Sequence, residues 1–99
     1  MTINLQTVNF NAKEGLEEYV ESKLNKLEQF YDKIIGAQVY MHVENVSEKE
    51  NKFLEVRLEV PGDDIIVKKS GQSFEECIDL SVDTLKKLII KKKEKTAVR

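Results

Sequence analysis

Several residue types that carry chemistry are nearly absent from this 99-residue chain, and each absence narrows the range of functions. The single cysteine, Cys77, cannot form an internal disulfide. With the single histidine, His42, it offers neither a convincing zinc ligand set nor a Cys–His nucleophile pair. No apolar run approaches the roughly 18 residues of a membrane span, and the N-terminus lacks the pattern of a signal peptide. These features predict a reduced, cytoplasmic setting and no membrane partner.

Motifs of catalysis are missing as well. The chain contains no glycine-rich phosphate loop and no nucleophile elbow. Asp63 and Asp64 follow Pro61-Gly62, which indicates a turn more simply than a metal site. His42 falls on the polar side of an alternating segment, as a solvated surface histidine would. The sequence therefore predicts a protein that is not an enzyme and that uses no cofactor, metal or small-molecule substrate.

Charge is plentiful, and its distribution is uneven. Residues 86–99 contain seven basic residues and one acidic residue, a net charge of +6. The other 85 residues contain nine basic and seventeen acidic residues, a net charge of −8. This separation favours a polyanion partner at one end of the molecule, although on composition alone a solvated basic tail is an equal alternative.

Hydrophobic periodicity predicts four strands and two helices. Period-2 alternation predicts strands at residues 3–8, 37–44, 54–60 and 65–69, with a hairpin loop at 45–51. Apolar residues three and four apart predict a helix of about five turns that ends near Tyr31. A second such run predicts a helix that ends near Lys93. Asn11 with Glu14, and Ser73 with Glu76, are the predicted helix starts because they resemble capping boxes.

The resulting order, β-α-β-β-β-α, predicts an α+β fold in a single domain, residues 1–99. One sheet face and one stripe of each helix are apolar, so both helices should pack on the same face of a four-stranded sheet. The helix between the first two strands allows those strands to pair in parallel through a right-handed crossover. For the basic C-terminal end, residues 86–99, partial disorder is an alternative to a continued helix.

Projected at about 100° per residue, the first helix sorts its charges by flank. Lys23 and Lys26 lie on one flank of the apolar stripe, with Tyr19 and Phe30 beside them. The other flank carries glutamates, namely Glu14, Glu17, Glu21 and Glu28. Because random surface charge would mix the two signs, this sorting indicates that the lysine flank faces an anion.

The last helix carries two lysine rows. Lys87, Lys91 and Lys95 form one row, and Lys86 and Lys93 form the second. If the helices pack side by side, the first row can border a continuous basic surface with the first helix. The helix dipole accounts for one or two lysines near a C-terminus and not for six.

Lysines contact phosphates as point charges, and the only two arginines are Arg57 and Arg99. This favours a structured RNA recognised by its shape and backbone over a DNA sequence. The predicted RNA-binding residues are Lys23, Lys26, Lys86, Lys87, Lys91, Lys92, Lys93 and Lys95.

Three segments together carry a family resemblance. They are residues 23–30 (Lys-Leu-Asn-Lys-Leu-Glu-Gln-Phe), 71–79 (Gly-Gln-Ser-Phe-Glu-Glu-Cys-Ile-Asp) and 83–95 (Asp-Thr-Leu-Lys-Lys-Leu-Ile-Ile-Lys-Lys-Lys-Glu-Lys). With them the chain resembles, over about residues 2–95, the hibernation-promoting factor and ribosome-associated inhibitor family, also called the ribosomal subunit interface family.

The resemblance implies a fold similar to the double-stranded RNA-binding domain and a role in ribosome hibernation, in stress and stationary phase. It implies a non-catalytic translation inhibitor that binds the small ribosomal subunit and the whole ribosome in the channel of messenger and transfer RNA. It also implies a short member of the family, monomeric off the ribosome. By position, Lys23 and Lys26 match basic family sites on the first helix, and Lys87, Lys91, Lys93 and Lys95 match those on the last.

The sequence departs from the family pattern at three places. Thr84 stands where the family commonly has lysine, so the carry-over fails there, and Lys87 stands where it commonly has arginine. Ser73-Phe74-Glu75 replaces the frequent Asp-Met-Tyr. Two alternatives stay open: a general RNA- or small-subunit-binding module, and a protein that oligomerises through its sheet edge. Salt dependence distinguishes RNA binding from an apolar protein interface.

Overall fold

Four strands form a single sheet. They are β1 (Thr2–Val8), β2 (Gly36–Val43), β3 (Lys52–Glu59) and β4 (Ile65–Gly71), and they lie in chain order across the sheet. The first two are parallel, and the other neighbours are antiparallel. This computed structural model describes residues 1–8, 10–44 and 51–97, without the side chains of 95–97. The predicted α+β class and element order are confirmed.

Two helices cover one face of this sheet. α1 (Leu16–Asn25) continues into a 3-10 turn at Lys26–Gln29, and α2 (Phe74–Ala97) ends the described chain. Alternate strand residues and one stripe of each helix are buried in one core. Its fully buried members include Val20, Leu24, Met41, Val56, Leu58, Ile78, Leu85 and Ile89. The opposite sheet face carries polar and aromatic side chains and has no helix over it within the described residues.

The predicted start of α1 at Asn11 is wrong. The helix begins after Gly15, whose φ of 89° lies in the left-handed region, and no side chain caps it. The backbone closes this turn instead, since the Leu16 N–H donates to the Lys13 carbonyl at 3.1 Å. The chain before this turn is held by tertiary packing, because Phe10 stacks on Phe74 with ring centroids 4.6 Å apart.

The predicted capping residues at the start of α2 are confirmed, with one difference. Ser73 Oγ accepts the Glu76 backbone N–H at 3.1 Å. The Glu76 carboxylate accepts the N–H of Gln72 at 2.8 Å, where a standard capping box would use the N-cap residue itself. The helix runs past its predicted end near Lys93 to Ala97.

The β2–β3 connection and one glycine complete the frame. Residues 45–50 of the predicted hairpin loop lie outside the described residues, but the Glu44 N–H donates to the Asn51 carbonyl at 2.9 Å across its base. Gly36 opens β2 where a Cβ would stand 2.7 Å from the Thr2 carbonyl oxygen. A side chain there would force β1 and β2 apart.

Candidate nucleic-acid interface

The two helices run parallel, side by side, as four contacts show. Near the start of each helix, the Tyr19 hydroxyl donates to the Asp79 carboxylate at 2.9 Å. Further along, the Lys93 ammonium donates to the Phe30 carbonyl at 2.7 Å. We call the line of contact between them the helix seam. Its side chains are Tyr19, Lys23 and Phe30 from the α1 side, and Asp79, Lys86 and Lys93 from α2.

Lys23 is the cation at the start of the helix seam. Its Nζ lies 3.4 Å from Asp79 and 5.3 Å from the centroid of the Tyr19 ring. Hydrogen bonding to Asp79 is the main cause that raises the pKa of Lys23, and it likewise raises the pKa of Tyr19. Lys23 is therefore held in a fixed position, with its charge partly balanced by a carboxylate.

Lys86 and Lys93 are the cations at the far end of the helix seam. Lys86 Nζ lies 4.5 Å from the centroid of the Phe30 ring, a cation–π distance. A spacing of seven residues places Lys93 on the same side of α2, two turns later. Both ammonium groups thus lie beside the end of α1. The sequence pattern placed Phe30 beside the lysines of its own helix, and the structure adds this lysine of α2.

Lys87 and Lys91 lie elsewhere on α2. Because Lys86 and Lys93 fix the flank toward α1 and Leu85 is buried, projection at about 100° per residue puts Lys87 and Lys91 on the outer surface, on the flank away from α1. The expectation that this row borders α1 is therefore wrong, and the second predicted row does so. The residues that turn toward the sheet, which helical geometry fixes, decide this arrangement.

The remaining predicted lysines differ in setting. Lys26 is exposed at the start of the 3-10 turn. Lys92 is half-buried, and its ammonium lies near the turn at Gly62. The side chain of Lys95 lies outside the described residues. Lys33, which the sequence analysis did not single out, lines a groove of about 480 Å³ together with Lys93. Only the tertiary contact between the loop after the 3-10 turn and α2 identifies it.

Parallel packing also sorts charge along the helix layer. Both helices begin with acidic first turns, at Glu17 and Glu18 in α1 and at Glu75 and Glu76 in α2. The lysines follow later in both. Helix dipoles favour this order within each helix. Because the helices are parallel, the same sign accumulates at the same end, and the molecule gains one basic end that can bind a polyanion.

Within the described ranges, no group of three or more His, Cys, Asp or Glu side chains could hold a metal ion. Cys77 is buried, as predicted for a packed thiol, with its Sγ 3.5 Å from the Lys52 carbonyl oxygen. Asp64 lies 3.7 Å from the Arg57 guanidinium. None of the helices in the described parts of the chain is long and apolar enough to cross a bilayer.

A family model described as Sigma 54 modulation protein / S30EA ribosomal protein matches residues 3–97. The chain belongs to this family. A ribosome hibernation promoting factor of Azotobacter vinelandii is 32% identical over 99 residues, which cover 100% of this chain and 89% of that protein. A protein of the same name from Escherichia coli (strain K12) is 33% identical over 95 residues, or 96% of each chain.

Solved structures of similar proteins share the fold. A ribosomal subunit interface protein from Coxiella burnetii superimposes with a TM-score of 0.83 over 95% of this chain and 99% of that one, at 20% identity. The N-terminal domain of Protein Y from Thermus thermophilus gives a TM-score of 0.78 over 90% and 96%, at 26% identity. The arrangement of sheet and helices described above is therefore that of the family.

Proposed function

We propose that this protein is a ribosome hibernation factor that binds the small ribosomal subunit in its messenger and transfer RNA channel and silences translation without catalysing a reaction. The observation that carries the proposal is the basic end of the helix layer. There Lys86 and Lys93 line the helix seam, and Lys87 and Lys91 stand on the outer surface of α2. The names of the relatives, and the family, support the ribosome as the target.

The chemistry of this surface suits ribosomal RNA. Lysine ammonium groups bind phosphate oxygens as point charges and read little base sequence. Lys23, Lys86 and Lys93 are held by contacts on the protein, so less side-chain entropy is lost when they meet a phosphate. The acidic beginnings of both helices disfavour binding along any RNA that covers the whole layer. The protein would act in the cytoplasm as a monomer and block the channel by occupying it.

Charge reversal at one exposed lysine tests the location of the surface. Lys87 and Lys13 are closely matched, since their side chains are 77% and 76% exposed and each lies 3.6 Å from one carboxylate. Lys87→Glu should lower the affinity for small subunits by roughly tenfold, about 1.4 kcal/mol. Lys13→Glu should change it little, because Lys13 lies by Glu75 at the acidic end of the layer.

The measurement is sedimentation with separated subunits and whole ribosomes on sucrose gradients at low salt, with in vitro translation in parallel. The double variant Lys87→Glu/Lys91→Glu should lose binding, and Lys23→Glu/Lys26→Glu should weaken it strongly. Exposed substitutions usually shift stability by only about 0.5 kcal/mol, so the variants should fold. Equal losses in the Lys87 and Lys13 variants would show bulk attraction without a located surface. Absence of the wild-type protein from every ribosomal fraction would contradict the proposal.

A further inference from the structure

The sheet face opposite the helices carries a row of aromatic rings. Tyr40 and His42 project from β2, with centroids 5.4 Å apart and planes tilted by 57°. His42 and Phe53, direct partners across β2 and β3, are stacked at 5.0 Å with planes 12° apart. Tyr40 is 37% exposed. The helices play no part in this row, because it stands on the other side of the sheet.

The stack ends at a small residue. In the register of β3 and β4, the partner of Phe53 is Ser70. A third ring in this row would stand over Ser70, and the serine side chain is too short to fill that place. A shallow cavity of about 340 Å³ lies there, lined by His42, Phe53 and Ser70 and by neighbouring residues of both strands. The position that would continue the stack is therefore open.

Two charged groups border this cavity. Glu55 and Lys68 are the next outward pair along β3 and β4, and their carboxylate and ammonium groups lie 3.9 Å apart. Both are accessible, since their side chains are 43% and 75% exposed. A carboxylate can accept an N–H from the edge of a planar heterocycle, and an ammonium can bind a phosphate attached to it. The cavity thus combines an aromatic wall with the groups that a nucleotide needs.

We propose that this cavity binds an unpaired RNA base, which stacks on Phe53 above Ser70 with its edge toward Glu55 and its phosphate toward Lys68. The site rests on the proposed function, because it gives an RNA-binding protein a second RNA contact on the face opposite the helix seam. Exposed aromatic rings on a sheet stack with single-stranded bases, which every base allows through its π-face. Cross-strand aromatic pairing accounts for His42 with Phe53, but it leaves the place over Ser70 open.

Filling that place tests the site without removing any of its rings. Ser70→Val adds methyl groups above Ser70, and valine suits an exposed strand position. Ser70→Ala is the matched control, because it removes the hydroxyl and leaves the place open. Each ¹⁵N-labelled protein is titrated with a single-stranded RNA of six adenylates and, separately, with adenosine monophosphate, while amide chemical shifts are recorded.

The wild-type protein and Ser70→Ala should show shifts centred on Phe53, Lys68 and Ser70 with the hexanucleotide. Ser70→Val should bind at this site about 5- to 150-fold more weakly, the range equivalent to the loss of one stacked base. Wild-type-like binding by Ser70→Val, equal weakening in both variants, or shifts confined to the lysines of α2 would each overturn the proposal. Monophosphate binding as tight as that of the hexanucleotide would also overturn it, because the site would then serve free nucleotides.

Failure of this inference and failure of the proposed function give different results. Lys87→Glu/Lys91→Glu should lose ribosomes yet keep the hexanucleotide shifts at Phe53 and Ser70. If wild-type protein sediments with small subunits but shows no shifts on the sheet face, the base site alone is wrong. If the sheet face binds the hexanucleotide and no ribosomal fraction contains the protein, the ribosome proposal is wrong and the base site remains.

Discussion

Asp79 is the residue that ties the two helices together at their beginnings. Its carboxylate accepts the Tyr19 hydroxyl at 2.9 Å and lies 3.4 Å from the Lys23 ammonium. One acidic side chain of α2 thereby orients both a phenol and a cation of α1. The same carboxylate favours the protonated forms of Tyr19 and Lys23, which explains why the pKa of each is raised.

Removal of this carboxylate should lower the pKa of Tyr19 toward its ordinary value of 10.0. We expect Asp79→Asn to show this change in a ¹³Cζ NMR titration of the tyrosines. Asp83→Asn is the control, because Asp83 faces Lys87 and makes no described contact with Tyr19. An unchanged Tyr19 midpoint in Asp79→Asn would show that the hydrogen bond is not formed in solution.

The same contacts predict a pH dependence of stability. Since the folded-state pKa values of Tyr19 and Lys23 are raised above 10.0 and 10.5, the folded protein holds these protons more tightly than the unfolded chain does. Their stabilisation is complete below pH 10 and is lost as the pH rises through the folded values. Wild type should lose more stability than Asp79→Asn in this alkaline window, as urea unfolding at a series of pH values would measure. Parallel curves would contradict the linkage.

Among the elements, α2 depends most clearly on its first residues. Ser73 Oγ accepts the Glu76 N–H, and the Glu76 carboxylate accepts the Gln72 N–H. Both bonds use backbone donors that the helix itself cannot satisfy. This start fixes where the helix begins on the sheet, and hence which lysines turn toward α1.

Loss of the Ser73 cap should destabilise the protein by about 1 kcal/mol. Ser73→Ala tests this in urea unfolding. Ser22→Ala is the comparison, because the Ser22 hydroxyl donates to the Tyr19 carbonyl within α1 and caps nothing. Alanine is the better helix former there, so stability should stay equal or rise slightly. An equal loss in both variants would show that the Ser73 bond is not what stabilises the start of α2.

At the scale of the whole molecule, parallel helices convert a chain with a net charge of −2 into one with a basic end. The affinity of such an end for RNA arises largely from the release of counterions. If four or five lysines engage phosphates, the logarithm of the association constant should fall with the logarithm of salt concentration with a slope of about −3 to −5.

Binding to small subunits at several salt concentrations measures this slope. Lys87→Glu/Lys91→Glu, at salt low enough for residual binding, should reduce its magnitude by about 2. The Ser70 variants should leave the slope unchanged, because stacking releases no counterions. A flat salt profile for the wild-type protein would favour an apolar protein interface, such as pairing through an edge of the sheet, over RNA.

The sequence by itself determined the element order and the sheet face that is buried. Both follow from local periodicity, which each segment carries without reference to the others, as at Val39 and Met41 or at Leu54, Val56 and Leu58. The cap at Ser73 was predictable for the same reason, since donor and acceptor are three residues apart. Asn11 failed as a helix start because Phe10 packs on Phe74 from a distant part of the chain.

Only the tertiary structure decided how the lysines are grouped. Periodicity places Lys86 with Lys93 and Lys87 with Lys91, but it does not say which row meets α1. That depends on how α2 is rotated on the sheet, which the burial of Leu85 and Ile89 fixes. The register of three strands likewise brings His42, Phe53 and Ser70 into one row, although they are separated in sequence. Such neighbours arise because side chains from different elements compete for one core, and local pattern contains no information about that competition.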